Sequence, residues 1–109
     1  MTCDRFDVVV VPFPFSENGG ETRRPALVIS NRRFNGSGNT VLAMITTSDH
    51  HPWAGDHPIN DLEEAGLPPR CIVRLKLFTL DNRLILRRLG RLGDSDRKQV
   101  ASSLYHHLA

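Results

Sequence analysis

Asp7-Val8-Val9-Val10-Val11-Pro12-Phe13-Pro14-Phe15 is a β-branched run that two prolines cut short. Valine is stiff at χ1 and suits a pleated surface, and a short continuous apolar run fits a buried strand. Because proline donates no backbone hydrogen bond, Pro12 to Phe15 is expected to leave a regular ladder. Ser16 to Arg24 then reads as a polar hairpin loop with Gly19-Gly20 at its tip. Pro25 to Ser30 and Thr40 to Thr46 are further strands, separated by turn chemistry in Asn31 to Asn39. Thr47 to His57 is an irregular loop around Pro52 and Trp53, and Asn60 to Gly66 a helical turn capped by Asn60 or Asp61. Cys71 to Leu75 and Leu86 to Leu92 are strand candidates joined through Phe78 to Arg83. The last segment is helical: Asp94 is placed to cap it, and Val100, Leu104 and Leu108 recur every four residues. Short strands followed by one terminal helix predict a mainly β fold, a small, strongly bent sheet or barrel with the helix packed on it.

The 109 residues leave room for one domain, residues 1–109, with no repeat and no low-complexity linker. Hydrophobic residues at 39% and charged ones at 24% exclude a disordered composition. No apolar run approaches the roughly 20 residues of a membrane helix, and no secretory signal is evident, so a cytoplasmic protein without membrane contact is expected. Cys3 and Cys71 lack metal-type spacing and are read as reduced thiols.

The net charge of +2 does not by itself announce a nucleic-acid partner, yet twelve of the fourteen basic residues are arginine. Arginine suits two-pronged phosphate contacts and stacking on bases. The charge is also uneven: Asp56 to Glu64 is acidic, while Arg70 to Lys98 carries nine basic residues against three acidic ones. A basic face for a polyanion and an ordinary solvated surface are both compatible with this pattern.

No phosphate-binding glycine loop, His-Glu-x-x-His, Cys-x-x-Cys or nucleophile elbow is present, and no cofactor is called for. His50, His51, Asp56 and His57 fit no common zinc spacing, so no metal is expected. Arg23-Arg24-Pro25 puts arginines at the mouth of a strand, and Thr46-Thr47-Ser48 ends another with three hydroxyls. With Arg74 and Lys76 on a later strand, these could form a basic cleft with hydroxyls at its floor. Read singly, they are a solvated loop arginine and strand-end caps.

Asp7 to Phe15 resembles the opening strand of MazF/PemK-like toxins, and Arg23-Arg24-Pro25-Ala26-Leu27-Val28 resembles their Arg-Pro-x-Leu-Val signature. Ile45-Thr46-Thr47-Ser48 followed by Trp53-Ala54-Gly55-Asp56 is similar to their Ile-Thr-Ser loop and the segment after it. Glu64-Ala65-Gly66-Leu67-Pro68, Val73-Arg74, Lys76 to Asp81 and Arg88-Leu89-Gly90-Arg91-Leu92 continue the likeness over nearly the whole chain. The resemblance implies an SH3-like barrel of the CcdB/MazF type with a C-terminal helix, usually a homodimer. It implies the toxin of a type II toxin–antitoxin pair, a metal-independent endoribonuclease acting on single-stranded RNA, chiefly mRNA. A cognate antitoxin would neutralise it through a flexible acidic segment, and DNA would be reached only indirectly, through that complex. By resemblance Arg24 corresponds to the catalytic arginine and Thr46 to the catalytic threonine.

Metal-free RNA cleavage uses the neighbouring 2′-hydroxyl as nucleophile and yields a 2′,3′-cyclic phosphate and a 5′-hydroxyl. A guanidinium at Arg24 suits phosphoryl-charge stabilisation, whereas an arginine stays charged and is a poor base. Thr46 can position the phosphate or orient the attacking hydroxyl, with Arg23, Thr47, Ser48, Arg74 and Lys76 as substrate-binding candidates. Some members carry an acidic residue two positions after the arginine of the Val-Arg strand, where Lys76 stands here. Some carry a histidine in the first loop, which Ser16 to Thr22 lacks. His50 and His51 are the substitutes for acid/base work, or loop histidines with no catalytic part. Trp53 and Phe34 are aromatics that could stack a base, plug the barrel end or meet a second copy. Two rivals from other classes are a silent RNA- or antitoxin-binding barrel and a CcdB-type gyrase-binding toxin. The latter relies on a C-terminal Trp-Gly-Ile, where His106-His107-Leu108-Ala109 stands here.

Overall fold

The computed structural model describes residues 1–13, 22–48 and 51–109. Its strands form one antiparallel sheet: β1 (Asp7–Phe13), β2 (Thr22–Val28), β3 (Asn39–Thr47), β4 (His57–Pro58), β5 (Cys71–Asp81) and β6 (Arg87–Arg91). Their spatial order is β4-β5-β3-β2-β1-β6. Two single-turn helices, α1 (Arg32–Asn35) and α2 (Leu62–Ala65), a 3-10 turn over Asn82–Leu84 and the terminal α3 (Asp94–Leu108) complete it. The result is a mainly β half-barrel with a C-terminal helix. No helix among the described residues is long and apolar enough to cross a membrane.

The valine run is continuous because the sheet is buried on both faces. Val8, Leu27, Ala43, Ile45 and Val73 meet one core, which α2 and α3 cover with Ala65 and Val100. Val9, Val11, Ala26, Val28 and Leu42 meet a second core with Cys3 and Ile85. Adjacent residues of one strand thus serve different cores, and a one-residue slip would misdirect both sets. Each fully buried valine or leucine contributes roughly 1.5–3 kcal/mol, which makes the central strands the stable frame. Both cysteines are buried free thiols, and burial pushes their pKa values up.

Several elements differ from the pattern reading. Pro12 stays in the ladder, opposite Arg23, with Phe13 opposite Thr22. The reason lies on the other edge: Val10 accepts from Leu86 N–H at 2.9 Å on the β6 side. Pro12, two residues on, faces that same side beyond the last β1–β6 pair, Val10–Arg87, so its missing donor costs nothing there. Strand β2 begins at Thr22, placing Arg23 and Arg24 in the sheet rather than the loop; the Gly19-Gly20 tip lies outside the described residues. The Asn31 to Asn39 turn holds α1, capped by the Asn31 side chain on Phe34 N–H at 3.0 Å. β5 runs on to Asp81 because its pairing with β3 resumes at Leu77, after two unpaired residues, and continues to the end. Gly93, not Asp94, caps α3; Asp94 sits in the first turn, ion-paired with Arg97, where its charge still favours the helix dipole.

Gly66 ends α2 in the left-handed region at φ +71, with an added Cβ falling 2.4 Å from the Leu89 carbonyl oxygen. Gly66→Ala therefore meets both a strained φ and a backbone clash, and should cost about 1–3 kcal/mol by denaturant melt. An unchanged midpoint would mean that α2 and β6 separate readily.

Candidate active site

Arg24, Met44, Thr46, Trp53, Arg74 and Lys76 line a cleft of about 180 Å³. Sheet register assembles it. Alternation puts Arg24 on the face of Ala26 and Val28, and Thr46 on the face of Met44 and Leu42. Ala26 pairs with Met44, so Arg24 and Thr46 follow each other on one face just past the end of that ladder. Met44 in turn pairs with Arg74 on β5. On β3, Ala43 and Met44 are consecutive, yet their β5 partners are Leu77 and Arg74. Leu75 and Lys76 are left over as a bulge, which bends the strand and brings Lys76 to the same cleft as Arg74.

Arg74 is only 6% exposed and its charge is already matched. The two-residue β4 pairs His57 with Val73, so the next step of that register sets Asp56 across from Arg74. Arg74 Nε donates to Asp56 Oδ1 at 3.1 Å and Nη2 to Asp56 Oδ2 at 2.9 Å, a two-pronged pair. Nη2 also donates to the His51 carbonyl at 2.8 Å. Burial works against the Asp56 charge, but the Arg74 hydrogen bonds and the Trp53 backbone N–H outweigh it and hold the carboxyl below its ordinary range. The hydrogen bonds that Arg74 gives to Asp56 also raise the arginine's own pKa, so each partner favours the charged form of the other. The Arg74 guanidinium lies 5.2 Å from the centre of the Trp53 ring, within cation–π range.

The remaining candidates fall around this centre. Arg23 lines an adjoining groove of about 490 Å³ with Val10, Arg24, Pro25, Leu86 and Arg87, so Arg24 forms the wall shared by groove and cleft. Thr47 lies on the opposite face of β3 from Thr46. Ser48 is exposed and its N–H donates to the Arg70 carbonyl at 2.9 Å. His51 is exposed and touches the site through its carbonyl; its imidazole does not line the cleft. His50 lies outside the described residues. Asp56, Met44 and Arg87 were not legible as site residues. For Asp56 the signals were an acid in a polar loop and a place at the end of the family-like Trp53 to Asp56 segment; neither points to a partner eighteen residues on.

The family model for PemK-like, MazF-like toxins of type II toxin–antitoxin systems matches residues 4–108, and the chain belongs to that family. No curated protein matches the sequence. Among solved structures, an endoribonuclease in complex with its cognate antitoxin from a mycobacterial species superposes with a TM-score of 0.76 at 15% identity, covering 97% of this chain and 94% of that one. The MazE-MazF complex (Form-III) from Deinococcus radiodurans gives 0.76 at 20% identity, covering 99% and 97%. Mycobacterium tuberculosis toxin MazF-mt6 gives 0.72 at 18% identity, covering 92% and 93%. At these identities the likeness is one of fold.

Proposed function

We propose that this toxin is a metal-independent endoribonuclease that cuts single-stranded RNA, with mRNA its target in the cytoplasm. The observation that carries the reading is the cleft in which Arg24, Thr46 and Lys76 converge, with a second groove that shares Arg24 and adds Arg23 and Arg87. In this reading the 2′-hydroxyl loses its proton as its oxygen attacks phosphorus, the bond to the 5′-oxygen breaks, and the leaving oxygen takes a proton, so none is gained or lost overall. Arg24 stabilises the charge on the phosphoryl oxygens, Thr46 orients the reacting phosphate, and Lys76 holds a flanking one. Arg74, neutralised by Asp56, shapes the wall. Arg23 and Arg87 follow the strand along the groove, with Thr47 and Ser48 bracing the end of β3. No metal or cofactor takes part. The likeness to antitoxin-bound toxins supports a cognate antitoxin as partner, an acidic segment covering this basic track. A homodimer would double the local positive potential, and light scattering at assay concentration should give twice the chain mass.

The test is cleavage of a long unstructured RNA in EDTA by protein freed of antitoxin, with the product ends mapped. Cyclic-phosphate ends are expected. Intact RNA that is nonetheless bound would replace this reading with the silent binding barrel, and a requirement for added divalent metal would overturn the mechanism.

His50 and His51 are the remaining acid/base candidates. Because the His51 imidazole is not among the groups lining the cleft, His51→Ala is expected to keep the wild-type pH–rate profile. Loss of one limb of that profile would assign a proton transfer to this loop.

A further inference from the structure

Trp53 is the only tryptophan of the chain, and it is 46% exposed although it lines the cleft. A large aromatic left in water is normally mobile or covered, but this one is held from three directions. Its backbone N–H donates to Asp56 Oδ2 at 2.9 Å, and its carbonyl accepts from Asp56 N–H at 3.2 Å, closing Trp53 to Asp56 into a tight turn. The turn depends on Gly55 at φ +82, where a Cβ would fall 2.5 Å from Leu75 Cδ1. The same Asp56 carboxylate fixes the Arg74 guanidinium against the indole. One carboxylate thus sets both the backbone of Trp53 and the cation its ring rests on. The cleft, at about 180 Å³, lies below the ~300–1,000 Å³ of sites that enclose whole drug-sized ligands. It suits one unit of a longer chain, the rest lying outside.

We propose that the indole of Trp53, supported by Arg74 and Asp56, is a stacking platform for one unpaired nucleobase, the one next to the phosphate held by Arg24 and Thr46. The inference rests on the RNA reading of the site and adds a specificity-determining residue to it. Stacking is tolerant of base identity because every base has a π-face. A platform fixed in position selects by ring size and reach, favouring the larger purines at that one position.

A lone tryptophan makes the test direct. The probe is a short RNA spanning a mapped cleavage site, 2′-O-methylated at the scissile nucleotide so that it cannot react. Titration into the full-length, antitoxin-free protein should quench the Trp53 emission along the same curve as binding followed by anisotropy. An oligonucleotide abasic at the stacked position should bind without quenching. Trp53→Leu should weaken binding by roughly 5- to 100-fold and flatten the base preference at that position, while Trp53→Phe restores part of both. Binding that leaves the emission unchanged, with Trp53→Leu cleaving at the wild-type sites and rates, overturns the platform and leaves the nuclease reading standing. Emission that instead follows protein concentration and ignores RNA would place a second copy of the chain on the indole and equally overturn it. A wild type that neither binds nor cuts RNA fails at the earlier step, the assignment of function itself.

Discussion

Arg24→Ala should lower the rate of RNA cleavage by at least about 10²–10³-fold, the usual cost of removing one preorganised donor from a developing oxyanion. The magnitude follows from position: Arg24 is half-buried, fixed on β2 opposite Val11, and shared by the cleft and the arginine-lined groove. Its guanidinium can offer a phosphate two parallel donors. Arg24→Lys keeps a charge but loses that fork, and should fall between wild type and alanine. Stability should barely change, because the side chain belongs to neither core. Single-turnover cleavage of one mapped site, with the melt of each variant alongside, checks both halves. Wild-type turnover by a folded Arg24→Ala protein would remove Arg24 from the chemistry.

Asp96→Ala is expected to be the most damaging single substitution for stability, at about 3–5 kcal/mol, a large share of a small domain's total. Asp96 is almost wholly buried in the first turn of α3, yet it faces another segment. Oδ1 accepts from Asn60 N–H at 2.9 Å and stands 2.8 Å from His57 Nε2, while Oδ2 accepts from Asp61 N–H at 2.9 Å. Alanine would leave those three donors without the acceptor that ties them together, a carboxylate that is itself only 1% exposed. Burial raises the Asp96 pKa, but the two backbone N–H groups and His57 outweigh it, so the folded value lies below the ordinary carboxylate range. The sign follows: this stabilisation is complete above the unfolded carboxyl value near 4 and is lost as pH falls through the lower, folded value. Wild type should therefore lose stability steeply in acid, and Asp96→Asn should be weaker at neutral pH with a shallower acid limb. Urea melts across that window read both quantities. Parallel acid limbs in the two proteins would mean that Asp96 is not the titrating hub.

The elements that pattern reading located are those whose signal is local. Val8 to Val11, Ala26 to Val28 and the four-residue recurrence of Val100 and Leu104 announce themselves within one window. The elements it misjudged depend on what lies across the sheet. Pro12 looks like a strand breaker until β6 is seen to end at its level. β5 looks like five residues because Lys76 interrupts its apolar pattern, and only pairing with β3 carries it to Asp81. In the site, Arg24 and Thr46 stood out through family resemblance, while Asp56 is meaningless until a two-residue strand sets it against Arg74. Long-range pairing of this kind leaves no periodicity in the chain.

The bulge at Leu75 and Lys76 takes two residues of β5 out of the ladder without disturbing the alternation that serves the two cores. On one side of it Phe78 and Leu80 pack against one core, and on the other Val73 packs into the second. A gain or loss of two residues between those anchors would reshape the wall of the cleft while both hydrophobic layers kept their places. Chain length at this one point can thus change the shape of the cleft without refolding the protein.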